Sequence, residues 1–358
     1  MRSNIEQLLA ELREARALID SIIPVNSALS GQSDGTIQKY LNVRRRFDYA
    51  ALVVALYASY EKFVEDIVAA YARIKARGKR YSELPQKLID KHCRKSTEIV
   101  SRGSLGKGRY VGLTEFTVID NLHQCISNLP NYQLNDVAVV AHENNLRYHE
   151  TLSLVANLGI SDLCNKVRRT DALTSWFANA SSLSGHIDSV PLETVLSRLE
   201  NVVERRNQVT HRGGSPDNIL GPDEMRELVD FVEATCQGIF TVIVRDYIEC
   251  DYIIPQKAIE LTVKEGPYKN GTVVVIGNPG ANTSIGQPIV CIAGVSRILC
   301  GRVTSIQLDG NPCDSVHDLS VNEIGIELDF KIPKSSKLYQ LETADDLLWP
   351  VVDFRDGF

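Results

Sequence analysis

Near the end of one helical pattern stand three residues whose groups together can break a phosphodiester bond: Arg206, Asn207 and His211. Histidine titrates near neutral pH, so it can take the proton of an RNA 2′-hydroxyl or give one to the leaving 5′-oxygen. Arginine is always cationic, and its planar fork matches phosphate oxygens and the charge they gain during reaction. Asn207 adds an amide able to orient His211 or the phosphate. The set suffices for metal-free internal transesterification, and no cofactor is implied.

The helix that must position these groups begins after Pro191. Leu192, Val195, Leu199 and Val202 recur at three- and four-residue steps, the mark of one buried face. The next member of that stripe is Arg206, and a guanidinium is rarely left in a core without a partner. On a regular helix Arg206 and His211, five residues apart, diverge by about 140°. They converge only if the helix loosens near Gly213 or if two copies of the chain face each other. The plainer reading is that an arginine and a histidine near a helix end serve its last carbonyls and its dipole.

Around that helix the chain reads as two domains, in keeping with its 358 residues. Residues 1–250 are almost all helix or helix connector. The pattern at 3–23 ends at Pro24, and a segment over about 36–77 has a middle, Ala50–Ala58, that is apolar nearly all round, as for a helix surrounded by others. Further helices are expected at 84–100, 113–127, 136–156, 161–168, 171–180 and 222–246. The last of these turns Met225, Leu228, Val232, Thr235, Ile239 and Ile243 inward. From residue 251 to 345 the pattern changes to short alternating or β-branched runs separated by Gly, Pro, Asn and Asp, including 258–263, 271–276, 289–293, 302–308, 323–328 and 337–341. That describes a small antiparallel barrel or sandwich. Residues 346–358 form a tail. The fold class is therefore α+β, an all-helical bundle followed by a small antiparallel β-barrel.

Composition narrows the function classes. The net charge of −6 argues against a non-specific nucleic-acid binder. The acidity sits in the C-terminal part, with 9 basic and 14 acidic residues from 251 onward against 30 and 31 before it. No apolar run approaches the roughly 18 residues of a membrane span, so no membrane partner is expected and the reading is cytoplasmic. The eight cysteines form no Cys-x-x-Cys pair, and His92-Cys93 has no second pair at zinc spacing. Buried free thiols account for them better.

Basic residues outside the helix end are weaker candidates for RNA contact. Arg205 and Arg212 flank the motif. Arg44, Arg45 and Arg46 are either a solvated turn or a phosphate contact. The loop 101–110, with Lys107 and Arg109, lacks both the Gly-Lys-Ser/Thr ending and the preceding strand of a P-loop, which leaves a basic loop near a substrate backbone or a plain connector.

Arg206-Asn207-Gln208-Val209-Thr210-His211 resembles the Arg-x(4–6)-His signature of HEPN domains, including the polar residue after the arginine. Tyr57-Ala58-Ser59-Tyr60-Glu61-Lys62-Phe63-Val64-Glu65 is similar to the first-helix segment of the RiboL-PSP branch of that superfamily. The resemblance covers about residues 40–245. It implies an all-helical domain, usually a homodimer, whose paired motifs form one metal-independent endoribonuclease site, with Arg206 and His211 catalytic and Asn207 supporting. It also implies a toxin or an effector of anti-phage defence. The helices between about 113 and 180 are extra to a minimal four-helix unit and could alter the dimer or cover the cleft. In the C-terminal part, Gly301–Gly310 and Asn322–Leu328 look like the second, β-barrel domain of elongation factor Tu, which implies docking to RNA or protein.

The leading expectation is an RNase acting as a helical homodimer on RNA, with the barrel selecting substrate or partner. The competing expectation is a non-catalytic dimeric module, or a regulatory subunit of a defence or toxin–antitoxin complex. In that case an antitoxin or sensor protein binds through the barrel.

Overall fold

The computed structural model describes residues 1–31, 35–102, 105–183, 187–211, 218–277, 282–294, 297–317 and 323–342. Two compact units result, one built on Ser3–Arg168 and Leu173–Gln237, the other on residues 238–358 with the short segment Arg169–Ala172.

The first unit is organised by α1 (Arg2–Ser30), α2 (Gly35–Ala76), α9 (Leu192–His211) and the part of α10 (Pro222–Ile248) up to Gln237. Between α2 and α9 lie α3 (Gln86–Ser101), α4 (Glu115–Ile126), α5 (Asp136–Val140), α6 (Tyr148–Asn157), α7 (Leu163–Val167) and α8 (Asp171–Ala180). Helix starts follow local chemistry. At α4 the Thr114 side chain accepts the Thr117 backbone N–H at 3.1 Å. At α10 the Glu224 carboxylate accepts the Gly221 N–H at 2.8 Å, and Asp223 and Glu224 place negative charge on the first turn. The inward stripe expected for α10 is buried at every one of its six positions. Arg16 of α1 joins α10 through Asp230 at 2.6 Å and Glu233 at 2.5 Å. Within the intervening helices, Ile99, Val118 and Ala138 form a small core of their own.

Four local expectations are revised. Helix α1 runs through Pro24 to Ser30; a proline costs one backbone bond and bends a helix but need not end it when later residues continue the turn. Leu192, at the first position of α9, is exposed, because a first-turn residue can precede the packed part of its helix. Helix α2 is not enclosed on all sides: Ala51, Val54, Ala55 and Ala58 are exposed, as are Tyr40, Val43 and Phe47 before them. The span 136–156 is two helices, α5 and α6, separated by a non-helical segment. That segment gives up helical bonds for partners distant in sequence. The Leu146 N–H donates to the Tyr57 hydroxyl at 2.8 Å, and the Asn145 amide donates to Asn207 at 2.9 Å.

In the second unit, α10 ends in a five-residue π-helical turn, Glu249–Ile253. Among the described residues nine strands follow: β1 (Ala258–Tyr268), β2 (Val273–Gly277), β3 (Thr283–Ser284), β4 (Pro288–Ala293), β5 (Arg297–Leu308), β6 (Asn311–Cys313), β7 (Ser315–Val316), β8 (Glu323–Leu328) and β9 (Lys337–Leu341). Six of them close in the order β4-β9-β1-β2-β8-β5 and back to β4, all antiparallel, as expected for a small barrel. Closure removes the exposed edges that an open sheet would leave. Register shifts at Val263/Glu265 and Val303/Ser305 supply the bulges by which strands bend round. Leu261, Val274, Ile276, Ile289, Ile306, Ile324 and Ile326 fill the interior. Residues 346–358 lie outside the described residues.

Candidate functional site

Arg206 is half-buried on α9, and the problem of a cation on an apolar stripe is solved by an aromatic seat. Its guanidinium carbon lies 5.3 Å from the centre of the Tyr57 ring on α2. A planar cation over a ring face is attracted by the ring's quadrupole, and the interaction strengthens as water is excluded. One guanidinium N–H donates to the Asn207 amide oxygen at 3.2 Å. The same oxygen accepts from the Asn145 amide at 2.9 Å. Among the described residues no carboxylate pairs with Arg206, so most of its five donors remain available to an oxyanion.

Tyr57 is fixed in turn. Its hydroxyl donates to Glu61 at 2.9 Å and accepts from the Leu146 N–H. Burial, with the Glu61 carboxylate beside it, pushes the phenol well above its ordinary value, so it stays a neutral donor. Glu61 and Glu65 stand one turn apart on α2, and His142, in the segment between α5 and α6, reaches both carboxylates. Its Nε2 is 2.8 Å from Glu65 and 3.8 Å from Glu61, and its Nδ1 is 2.6 Å from the Asn144 carbonyl oxygen. Burial lowers His142, but the bond to Glu65, the Asn144 carbonyl and the two carboxylates outweigh it and leave it above its ordinary value. Burial likewise raises Glu65, and the bond from His142 with the charge of Arg109 more than reverses this. A continuous polar belt therefore runs from Arg109 through Glu65, His142, Glu61 and Tyr57 to Arg206 and Asn207.

The other sequence candidates fall in different places. His211 is the last residue of α9; its side chain, like the whole of Arg212 and Gly213, lies outside the described residues. Arg205 is adjacent to Arg206 but turned elsewhere: it donates to the Tyr49 hydroxyl at 2.8 Å and to Asn201 at 2.8 Å. Arg44 pairs with Asp48 at 2.8 Å, and Arg46 lies over the Phe47 ring at 5.3 Å. Arg45 is exposed on the same turn. Arg109 is bound to Glu65 at 2.7 Å, whereas Lys107 is exposed in the loop beside it.

Sequence reasoning passed over His142 and Asn145 because they occupy what reads as the middle of an ordinary helix. The only local sign is the polar cluster His142-Glu143-Asn144-Asn145, which interrupts the apolar spacing. His92, by contrast, is a core residue. Its Nε2 accepts the Asn135 N–H at 2.9 Å, so the Nδ1–H faces the Tyr81 hydroxyl at 2.9 Å, and burial lowers it to about 4. Among the described residues no three His, Cys, Asp or Glu side chains gather in a metal-binding arrangement. No described helix is long and apolar enough to cross a membrane.

No curated protein and no solved structure matches the chain. A family model does. HEPN domains are commonly associated with RNase activity and often dimerise. The model of the RiboL-PSP-HEPN family matches residues 6–245, more than half of the chain and the whole of the α2–α9 pairing that seats Arg206, and the protein belongs to that family.

Proposed function

We propose that the protein is a metal-independent endoribonuclease, with Arg206 binding the scissile phosphate and His211 transferring protons. The observation that carries this reading is the Arg206 guanidinium, seated on Tyr57, steadied by Asn207 and left without a carboxylate partner among the described residues. The neighbouring guanidiniums are committed, Arg205 to Tyr49 and Asn201 and Arg109 to Glu65, whereas that of Arg206 keeps most of its donors for a ligand. In the reaction the RNA 2′-oxygen bonds to the adjacent phosphorus as its proton is removed. The bond to the 5′-oxygen breaks, and that oxygen leaves as a hydroxyl after gaining a proton. Arg206 offsets the charge that gathers on the non-bridging oxygens.

A homodimer is part of the proposal. The exposed residues Tyr40, Val43, Phe47, Ala51, Val54 and Ala58 recur at three- and four-residue steps along α2, an apolar stripe next to Tyr57. A second copy seated there brings the two α9 ends towards each other, which answers the divergence of about 140° between Arg206 and His211 within one chain. The role extends to a toxin or anti-phage effector, with the barrel recognising RNA or a restraining partner.

The test is incubation of purified protein with mixed RNAs in EDTA, comparing wild type with Arg206→Ala and His211→Ala. Cuts present in wild type and absent from both variants are expected. Equal cleavage by all three overturns the assignment. Absence of cleavage by wild type favours the non-catalytic dimeric module.

A further inference from the structure

Lys91 is the most anomalous cation in the described structure. It lies on the buried face of α3 with Leu88, His92 and Ile99 and is only 8% exposed. Its neighbour one turn on, Lys95, is equally buried but is matched by Glu98 at 2.7 Å and Glu143 at 2.9 Å. Lys91 makes no hydrogen bond or ion pair among the described residues. Its stem is buried while its ammonium is not among the partnerless nitrogens shut off from solvent, so the charge opens onto the cleft with no carboxylate on it.

The side chain lines a cleft of about 440 Å³ formed by α3, α6 and the segment after α5. Lys87, Arg94 and Lys95 line it too, with His142 at one side. Carboxylates are also present but do not serve Lys91. Asp90 accepts from Gln86 at 2.7 Å, Glu143 is bound to Lys95, and Glu150 lies on α6. The charges acting on Lys91 are those of Lys95 and Arg94, both repulsive, opposed by Glu65. Burial and these two cations pull it down to about 7. The potential at its ammonium is therefore positive, and the cleft supplies the room that a counter-ion would need.

We propose that this cleft binds a phosphate group, with Lys91 as the interior contact and Arg94 and Lys87 at the mouth. A tetrahedral anion with several acceptor oxygens can take N–H donors from more than one of these side chains at once. It also restores the charged state of Lys91. An RNA backbone and a free phosphorylated ligand share this chemistry. The site does not use Arg206, and it stands or falls independently of the cleavage reading.

The experiment is a melting-temperature titration with inorganic phosphate at constant ionic strength, chloride being exchanged for phosphate. Wild type is expected to show a saturable rise. Lys91→Met is expected to lose it while melting in chloride at or above wild type, because an apolar chain of similar length replaces a buried stem whose amine has no partner. Arg94→Ala, an exposed change that leaves the core alone, is expected to weaken phosphate binding at least several-fold. Because Arg206 is itself proposed to bind phosphate, the comparison is repeated in the Arg206→Ala background, where a saturable rise that Lys91→Met removes is expected. No saturable rise in wild type, or a full rise in both Lys91→Met and Arg94→Ala, overturns the proposal. In the Arg206→Ala background, competition by single-stranded RNA identifies the backbone as the source. Competition by a nucleoside 5′-monophosphate but not by RNA identifies a free phosphorylated ligand.

Discussion

Arg206 and Tyr57 are held as a stacked pair, the guanidinium carbon 5.3 Å from the ring centroid, by contacts on both sides. The tyrosine hydroxyl is fixed by Glu61 and Leu146, and the guanidinium by Asn207. The ring and the hydroxyl thus have separable roles. Tyr57→Phe keeps the seat and leaves the Leu146 N–H without its acceptor, so it is expected to cost about 1–2 kcal/mol of stability and change cleavage little. Tyr57→Leu removes the π-face, worth about 0.5–2 kcal/mol to the cation, and is expected to lower cleavage by roughly 3- to 30-fold. Single-turnover rates of the two variants, with their melting temperatures, make the comparison. Equal losses of cleavage would assign the tyrosine's role to its hydroxyl.

The two adjacent arginines should separate in a stability measurement. Arg205 ties α9 to α2 through the buried Tyr49 hydroxyl and also reaches the Asn218 carbonyl oxygen at 3.4 Å. Arg205→Ala strands that hydroxyl and is expected to cost about 1–3 kcal/mol. Arg206→Ala forfeits mainly its stacking and is expected to cost about 1 kcal/mol or less. Urea denaturation of both variants checks the order. A larger loss for Arg206→Ala would make that residue chiefly structural.

The elements that carry the site were legible to different degrees, for physical reasons. The α10 stripe was plain because periodic burial is written residue by residue, and the barrel strands because β-branched runs between turn residues leave few alternatives. The exposed stripe of α2 was not, since composition cannot distinguish an apolar face awaiting a partner from one already covered. The break between α5 and α6 was hidden as well. Its cause is capture of Asn145 and Leu146 by Asn207 and Tyr57, 62 and 89 residues away in sequence. Nothing in the sequence singles out Lys91, because only the packing of α6 and the segment after α5 encloses it.

The His142–Glu65 pair gives the stability a pH signature. Glu65 lies below its ordinary value of 4.5, so its contribution is present above 4.5 and is lost as pH falls through the folded-state value. His142 lies above its ordinary 6.5, so its contribution is full below 6.5 and is lost as pH rises through the folded-state value. Both are in place between about 4.5 and 6.5. His142→Gln is therefore expected to cost about 2 kcal/mol in that window and progressively less on either side. Thermal unfolding of both proteins from pH 4 to pH 9 reads the difference. A pH-independent gap would mean that the histidine acts by packing alone.

If the catalytic site is assembled from two chains, the motif residues must complement between copies. Mixing Arg206→Ala with His211→Ala yields mixed dimers in which one chain supplies the arginine and the other the histidine. Half of the dimers are mixed and each holds one arginine and one histidine of the paired motifs, so cleavage is expected to return to at most about half of wild type. A site built within a single chain gives no recovery on mixing, because neither variant chain has both groups. The apolar stripe on α2 provides the control. Val54→Glu places a charge among exposed apolar residues without entering the core, since Val54 is itself exposed. It is expected to shift the protein from dimer to monomer in light scattering and, introduced into both partners, to abolish the recovery. Absence of recovery in demonstrably dimeric protein would dismiss the shared site, whereas recovery that is lost together with the dimer would place the joining of Arg206 and His211 at that face.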